Sequence, residues 1–257
     1  MELRPLGKTG LDVSLIGFGA FKIGRNTGTK YASEYQLPAR DDVFTLIDRI
    51  AEMGVNLIDT APAYGFSEEL IGEALARTGH HSRINVCTKV GETFDETGST
   101  YAYDRASVND SIDRSLRKLR TDRLAVVNIH SNGDDLRIIE ETDVLETLQR
   151  RRERGDISHI GFSGKTTEGH ARALEHEAGI EVLMVELNPD STEHLEVVRE
   201  AGRRSVGVLV KKGLGSGRID PARALPWLAA VPEISSIVIG SLSPVNMARN
   251  IDHATIG

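Results

Sequence analysis

The sequence predicts a (β/α)8 barrel, the α/β fold in which eight parallel strands alternate with eight helices, preceded by an N-terminal β-hairpin. The chain has 257 residues, and about 250 is typical of such a barrel. Short apolar runs rich in Val and Ile alternate eight times with amphipathic stretches. Runs such as 124–130 and 236–239 are almost continuously apolar, as expected for parallel strands covered by helices on both faces.

A doubly wound sheet is the other α/β arrangement, and it usually has about five or six strand–helix units. Its dinucleotide fingerprint Gly-x-Gly-x-x-Gly would follow the first strand. The sequence there is Gly17-Phe18-Gly19-Ala20, and the third glycine is missing. The sequence therefore favours the barrel. No linker or change of composition divides the chain, so we expect one domain over residues 1–257.

The elements follow one another in a regular order. The hairpin is predicted over 4–13, where two short apolar pieces flank the turn Gly7-Lys8-Thr9-Gly10. The eight strands are predicted at 13–18, 55–59, 84–90, 124–130, 157–162, 181–187, 205–211 and 234–240.

Helix start and stop signals fill the intervals between these strands. The first four helices begin at Asp41-Asp42, Ser67, Asp104 and Thr142-Asp143, with glycine stop signals at Gly54, Gly79 and Gly155. The last four helices are predicted at 167–178, 192–203, 221–230 and 244–254. The long polar segments 22–40 and 92–103 are predicted to be loops at the catalytic mouth.

Composition excludes several classes of protein. A net charge of −7 argues against general binding to nucleic acid or to an acidic membrane surface. The single cysteine, Cys87, excludes an intrachain disulfide, and the histidines lack metal-site spacing. No signal peptide is apparent at the N-terminus, and no segment has about 18 uncharged apolar residues. We therefore expect a cytoplasmic protein without a metal site.

Four titratable residues lie at the ends of successive predicted strands. Asp59 ends the second strand and Tyr64 follows it. Lys89 ends the third strand, and His130 ends the fourth. Each has an ordinary structural alternative, as a turn cap, a solvated strand end or a hydrogen-bonded core histidine. Because the carboxyl ends of barrel strands meet at one mouth, their combination there favours catalysis.

The chemistry of this group suits the reduction of a carbonyl. Tyr64 should be a poor acid at pH 7, because the pKa of tyrosine is about 10. An adjacent ammonium, Lys89, is expected to lower that pKa and so to make proton donation feasible. Asp59 would pair with Lys89, and His130 would hydrogen-bond the substrate oxygen. No side chain supplies a hydride, so a nicotinamide cofactor is implied.

At these residues the sequence resembles the aldo-keto reductase family, from Leu3 to the last predicted helix. Residues 56–65, Asn-Leu-Ile-Asp-Thr-Ala-Pro-Ala-Tyr-Gly, resemble the aspartate–tyrosine motif of that family. Lys89 and His130 fall where its lysine and histidine lie, and 155–163 resembles its approach to the fifth strand. The resemblance implies a nicotinamide-dependent reductase of a small aldehyde or ketone with Tyr64 as the general acid.

Several positions that the resemblance assigns to the cofactor depart from the family pattern. The serine–asparagine pair that holds the nicotinamide amide is Ser163-Gly164 here, and the expected glutamine of strand six is Met184. Strand seven reads Val210-Lys211-Lys212-Gly213-Leu214 and lacks the tyrosine on which many members stack the nicotinamide. Ser163 and Lys211 remain the candidate cofactor-binding residues in this region.

The segment after the eighth strand is the candidate phosphate site. Gly240 and Ser241 precede a helix, whose free N–H groups and positive dipole end attract phosphate, and Asn250 lies further along it. Gly240 stands where strongly NADP-preferring members often carry a basic residue, as does Asn246. Arg249 is the nearest cation able to meet a 2′-phosphate. We therefore expect NADP(H) rather than NAD(H).

Some questions remain open at this stage. Tyr31, Tyr35, Tyr101 and Tyr103 either line a substrate pocket or pack the loops. The altered amide-holding positions suggest, as an alternative, a regulatory subunit that senses cofactor with little turnover. A barrel that uses Tyr64 and Lys89 for non-redox elimination or isomerisation is a third function. The sequence predicts neither the substrate nor the oligomeric state.

Overall fold

The computed structural model describes residues 1–29, 31 and 33–255. The strands are β1 (Leu3–Pro5), β2 (Asp12–Ser14), β3 (Ile16–Gly19), β4 (Leu57–Asp59), β5 (Asn85–Val90), β6 (Glu92–Asp95), β7 (Gly98–Tyr101), β8 (Leu124–His130), β9 (Ile157–Ser163), β10 (Val182–Glu186), β11 (Gly207–Lys211) and β12 (Ser236–Ile239). The helices are α1 (Phe21–Gly24), α2 (Arg40–Glu52), α3 (Ser67–Thr78), α4 (Arg105–Leu119), α5 (Asp135–Glu141), α6 (Val144–Arg154), α7 (Thr167–Glu175), α8 (Leu195–Arg203), α9 (Pro221–Ala229) and α10 (Pro244–Thr255).

Eight parallel strands close into a barrel, so the predicted fold class is confirmed. Around the barrel the order is β3, β4, β5, β8, β9, β10, β11 and β12. Closure comes from β12 and β3, where Ile237 lies opposite Ile16. Because all eight strands run in the same direction, the residues that end them meet on one rim, as the sequence predicts.

The helix boundaries follow the predicted local signals. Asp104 caps α4, since its side chain accepts a hydrogen bond from the N–H of Ser107 at 3.0 Å. Gly79 and Gly155 end α3 and α6 in the left-handed conformation, with φ of 74° and 88°, which glycine adopts at little cost. In the described part of the chain, no helix combines the length and the apolar character needed to span a membrane.

The hairpin β1–β2 closes the amino-terminal end of the barrel. Leu6 and Val13 pack with inward-facing strand residues that include Leu57, Val126 and Leu209. Gly7 lies against the start of β11, where a Cβ atom on it would be 2.3 Å from the backbone nitrogen of Gly207. The opposite, carboxyl-terminal end therefore remains for the functional site.

The structure corrects three sequence predictions, one of which is the loop 22–40, whose first residues belong to helix α1 (Phe21–Gly24). The predicted strand 13–18 is divided, because Val13 pairs with Arg4 in the hairpin whereas Ile16 begins the barrel strand. The predicted loop 92–103 contains a second hairpin, β6–β7, in which Glu92 lies opposite Tyr101. Its polar, threonine-rich strands pack beside the barrel mouth and lack the apolar alternation that indicates a strand.

Candidate active site

Asp59 and Lys89 form a buried ion pair at the carboxyl ends of β4 and β5. The Nζ of Lys89 donates hydrogen bonds to Oδ1 of Asp59 at 2.6 Å and to the carbonyl of Thr60 at 2.8 Å. Burial alone lowers the pKa of Lys89, but Asp59 and then Tyr64 outweigh it, so the pKa is raised. The structure thus keeps Lys89 protonated and brings the predicted pair together.

Tyr64 ends a short 3-10 turn, Pro62–Tyr64, that follows β4. The Nζ of Lys89 is 4.8 Å from the centroid of its ring. The expected lowering of the Tyr64 pKa is wrong for the net direction, because burial raises the pKa more than Lys89 lowers it. Asp59 both raises this pKa and pairs with the lysine. Tyr64 therefore carries its proton at neutral pH, as a proton donor must.

His130 ends β8 and faces the ring of Tyr64, with ring centroids 6.3 Å apart. Its Nδ1 lies 2.7 Å from Oε2 of Glu92, the first residue of β6. Burial lowers the pKa of His130, and Glu92 acts in the opposite direction. Burial raises the pKa of Glu92, but His130 and Ser99 outweigh it and the pKa falls to about 2. Glu92 is therefore charged beside the imidazole.

Asp59, Tyr64 and His130 line one cavity of about 480 Å³ at the barrel mouth. Tyr31 and Tyr101 also line it, and Lys89 lies beneath them, 1% exposed. The other two candidate tyrosines pack the loops instead. The hydroxyl of Tyr35 donates to the carbonyl of Arg25, and that of Tyr103 donates to the carbonyl of His130 at 2.8 Å.

Lys211 and Ser163 lie on the far side of this mouth. Lys211 belongs to β11, four strands from β5 around the eight-stranded barrel, and it lines the same cavity. Its Nζ donates to Oγ of Ser163 at 3.0 Å and to the carbonyl of Gly164 at 2.8 Å. The two candidate residues are therefore in direct contact.

The two substituted amide-holding positions offer no side chain to the cavity. A Cβ on Gly164 would be 2.5 Å from Cε1 of Phe162 and 3.0 Å from Oδ2 of Asp135, so residues already packed there fill the space of an asparagine. Met184 is 1% exposed and belongs to the apolar interior of the barrel. The polar group that this wall presents is the ammonium of Lys211.

A second cavity of about 600 Å³ lies beside the first and contains the candidate phosphate residues. Gly240, Ser241, Arg249 and Asn250 all line it. The amino end of α10 also faces it through Ser243 and Asn246, and Oγ of Ser243 accepts from the N–H of Asn246 at 3.3 Å. Gly240 lines both cavities, so the two are neighbours.

This arrangement fits a dinucleotide. The exposed guanidinium of Arg249 and the helix N-terminus provide donors for phosphate in the second cavity. The first cavity contains Asp59, Tyr64 and His130, and Gly240, which has no side chain, lines both cavities. Glu92 is the functional contact that sequence reasoning missed. Its position one residue after Gly91, at the end of the third predicted strand, was the available signal.

Comparison with known proteins agrees with this geometry. The L-galactose dehydrogenase of Arabidopsis thaliana is 30% identical over 246 residues, which cover 92% of this chain and 72% of that protein. The aldo-keto reductase YhdN of Bacillus subtilis is 31% identical over 170 residues, 65% of this chain and 48% of its own length. A structure from Pseudomonas aeruginosa described as an aldo-keto reductase aligns with a TM-score of 0.89 at 35% identity, covering 98% of this chain and 93% of that one.

A family model covers most of the barrel. It is described as the aldo/keto reductase family, and it matches residues 15–226, from the start of the first barrel strand into α9. The matched segment contains the Asp59–Lys89 pair, Tyr64 and His130. The chain belongs to the aldo-keto reductase family.

Proposed function

We propose that this protein reduces a small aldehyde or ketone to an alcohol, with Tyr64 as the general acid. Family membership provides the coarser statement, an oxidoreductase that uses a nicotinamide cofactor on carbonyl compounds. One observation carries the finer one: Asp59, Tyr64 and His130 line a single cavity, with the ammonium of Lys89 held beneath the tyrosine ring.

Each side chain has a separate part in the proposed reaction. The bound nicotinamide supplies the hydride to the carbonyl carbon. Tyr64 donates its phenolic proton to the carbonyl oxygen as negative charge develops there. Lys89 stabilises the phenolate that remains, and Asp59 keeps Lys89 charged and in position. His130 orients the carbonyl oxygen by donating from Nε2, the ring nitrogen that does not face Glu92.

The substitution Tyr64→Phe tests this proposal. We expect kcat on the preferred carbonyl to fall by about 10²–10⁴-fold, the usual contribution of a general acid. Binding of the reduced nucleotide, measured by calorimetry, should change little. Tyr101→Phe is the matched control, because Tyr101 lines the same cavity without an assigned part in proton transfer. More than half of the parent kcat in Tyr64→Phe would remove Tyr64 from this role.

The same measurements separate the two alternative functions. A panel of aldehydes and ketones is assayed with NADPH and with NADH after direct titration of each nucleotide. Tight nucleotide binding with negligible turnover across the panel would support a cofactor-sensing subunit. Absence of binding by both nucleotides would support non-redox chemistry at Tyr64 and Lys89.

We propose that NADP(H) is preferred over NAD(H) through Arg249. This arginine is exposed, lines the second cavity and forms no ion pair among the residues that the structure describes. We expect Arg249→Ala to weaken NADPH binding by about ten- to a hundredfold, the value of one charge-assisted contact, and to leave NADH binding nearly unchanged. Calorimetric titration with each nucleotide measures the two losses of affinity. Equal losses of NADPH and NADH affinity would place the 2′-phosphate elsewhere.

We also propose a cytoplasmic enzyme whose partner is the small carbonyl compound rather than nucleic acid or a membrane. The net charge of −7 supports this proposal. Cell fractionation checks the location. Co-sedimentation with anionic vesicles and gel shift with duplex DNA check the partners, and binding in either assay at physiological salt would contradict the proposal.

A further inference from the structure

We propose that Lys211 makes the nicotinamide site selective for the reduced cofactor, because its ammonium repels the positively charged ring of the oxidised form. The inference rests on the proposed function, since it requires the nicotinamide to enter the catalytic cavity. The dihydronicotinamide ring is neutral and the oxidised ring carries one positive charge. The ribose, diphosphate and adenine parts are common to both forms.

The position of the ring follows from the chemistry of the cavity. A hydride donor must approach the carbonyl carbon to within about 3–3.5 Å. The oxygen on that carbon must be within hydrogen-bond reach of Tyr64. Tyr64 and Lys211 line the same cavity of about 480 Å³, so a ring bound beside Tyr64 would share that cavity with the ammonium of Lys211.

Lys211 has no compensating carboxylate within ion-pair distance among the described residues. Both of its acceptors, Oγ of Ser163 and the carbonyl of Gly164, are neutral. An ammonium has three N–H donors, so one remains for the cavity. Because Gly164 and Met184 present no side chain there, this ammonium is the polar group next to Ser163 that the ring meets.

The neighbouring lysines at the strand ends have carboxylate partners. Lys212 pairs with Glu186, and Lys89 pairs with Asp59. Arg25 lies near Glu92, and Lys165 is exposed to solvent at the rim.

Asp135 and two histidines also interact electrostatically with Lys211. Asp135 accepts from the N–H groups of Lys165 and Thr166 at 2.9 and 2.7 Å. Burial lowers the pKa of His170 to about 4 and also lowers that of His194, so both are neutral near pH 7. Lys211 therefore adds a positive charge to this wall of the cavity.

The selectivity should depend on pH in a defined direction. Desolvation of the ammonium, with repulsion from Lys212 and Lys89, lowers the pKa of Lys211 to about 7. A lysine is charged below its pKa. The repulsion of the oxidised ring is therefore present below pH 7 and is lost as the pH rises through that value.

The test is the ratio of two dissociation constants, measured by calorimetry on the unmodified protein at pH 6.5 and pH 9. NADP⁺ and NADPH are compared, with NAD⁺ and NADH in parallel, so the result does not depend on Arg249. We expect the reduced form to bind tighter by about tenfold or more at pH 6.5, as two like charges in a partly desolvated cavity require. The two affinities should approach each other at pH 9. Because the oxidised and reduced forms carry the same phosphates, protonation of the phosphates changes both dissociation constants equally and does not alter their ratio.

Three variants check the assignment to Lys211. Lys211→Met should bring the ratio close to one at both pH values. Lys211→Arg should keep the preference for the reduced form at pH 9, because arginine stays charged. Lys212→Met is the matched control and should keep the preference for the reduced form at pH 6.5, because Lys211 is retained. Loss of the repulsion from Lys212 should only move the disappearance of that preference to higher pH.

Each outcome separates this inference from the function on which it rests. Equal affinities for the two redox forms at pH 6.5 in the unmodified protein overturn the role of Lys211, while nucleotide binding itself leaves the reductase proposal standing. A preference that persists in a folded Lys211→Met variant also overturns it. Failure of all four nucleotides to bind overturns the proposed function. If Lys211→Met does not fold, the pH series on the unmodified protein decides alone.

Discussion

At the scale of single residues, the contact between Glu92 and His130 opposes the effect of burial on the imidazole. The charged carboxylate, 2.7 Å from Nδ1, raises the pKa of His130 against the effect of burial. The charged imidazole can donate from Nε2 to a carbonyl oxygen, whereas a neutral ring with its proton on Nδ1 cannot. Burial remains the larger effect, so the pKa of His130 is lowered overall, and Glu92 increases the share of the charged form.

We expect Glu92→Gln to move the titration midpoint of His130 to lower pH, because a favourable charge has been removed from the imidazolium. NMR titration of the imidazole Cε1 proton measures this directly. Glu186→Gln is the control, since Glu186 lines the same cavity but pairs with Lys212. In this variant the titration midpoint of His130 should match that of the parent protein. An unchanged or raised midpoint in Glu92→Gln would contradict the assigned contact.

The sequence placed the titratable residues correctly on the strands but could not predict their environment. Asp59 and His130 end barrel strands and Lys89 is the penultimate residue of another, so strand periodicity is enough to bring them to one rim. The net pKa shift of Tyr64 depends on burial, which is set by loops packed from elsewhere in the chain. The contact of Glu92 with His130 likewise depends on the fold of the hairpin β6–β7.

At the scale of elements, the N-terminal hairpin depends on two left-handed glycines in different surroundings. Gly7 has φ of 55° and lies against the backbone of Gly207, whereas Gly10 has φ of 78° and open space around its Cα. Both turns require a backbone conformation that costs other residues about 1–2 kcal/mol. Comparing substitutions at the two glycines therefore distinguishes the cost of the left-handed backbone conformation from the cost of a steric clash.

We expect Gly10→Ala to lower the free energy of unfolding by about 1–2 kcal/mol. Gly7→Ala should lower it by about 1–3 kcal/mol more, because the new methyl group meets backbone that cannot move aside. Urea unfolding of both variants, followed by circular dichroism, measures the difference. Equal losses of unfolding free energy in the two variants would show that Gly7 does not lie in close contact with the backbone of β11.

Element boundaries were predicted well where helix caps and buried runs are local, and poorly elsewhere. The seven-residue strand β8 occupies the predicted 124–130, because its apolar run is continuous. The predicted 13–18 is divided between the hairpin and the barrel, a distinction that only pairing partners reveal. Helix α5 was not predicted, since its seven residues, DLRIIEE, are too few for a clear helical period.

At the scale of the whole molecule, closure connects the two ends of the chain. Besides the pairing of β12 with β3, the guanidinium of Arg4 donates to the carbonyls of Ala229, Val231 and Ile234 at 2.7, 3.2 and 3.0 Å. The strand nearest the N-terminus therefore holds the segment between α9 and β12. We propose on this basis that the chain folds as one domain, as composition also predicts.

We expect urea unfolding followed by circular dichroism and by the fluorescence of Trp227 to have the same midpoint. Arg4→Ala should lower the free energy of unfolding by on the order of 2 kcal/mol, through hydrogen bonds lost from a charged donor, and should shift both signals together. Separate midpoints for the two probes would indicate independent domains. A shift of the fluorescence signal alone would confine the effect of Arg4 to α9.

The order of the residues along the chain also separates two proposed roles, proton transfer and cofactor binding. The groups that handle the proton lie at or before His130, on β4, β5, β6 and β8, and those assigned to the cofactor lie at or after Ser163, on β9, β11 and the segment around α10. The proposed roles are thus divided between the first and second halves of the chain. A chimaera that joins residues 1–150 to the second half of a relative would exchange cofactor preference while keeping proton delivery, which makes the two properties separately evolvable.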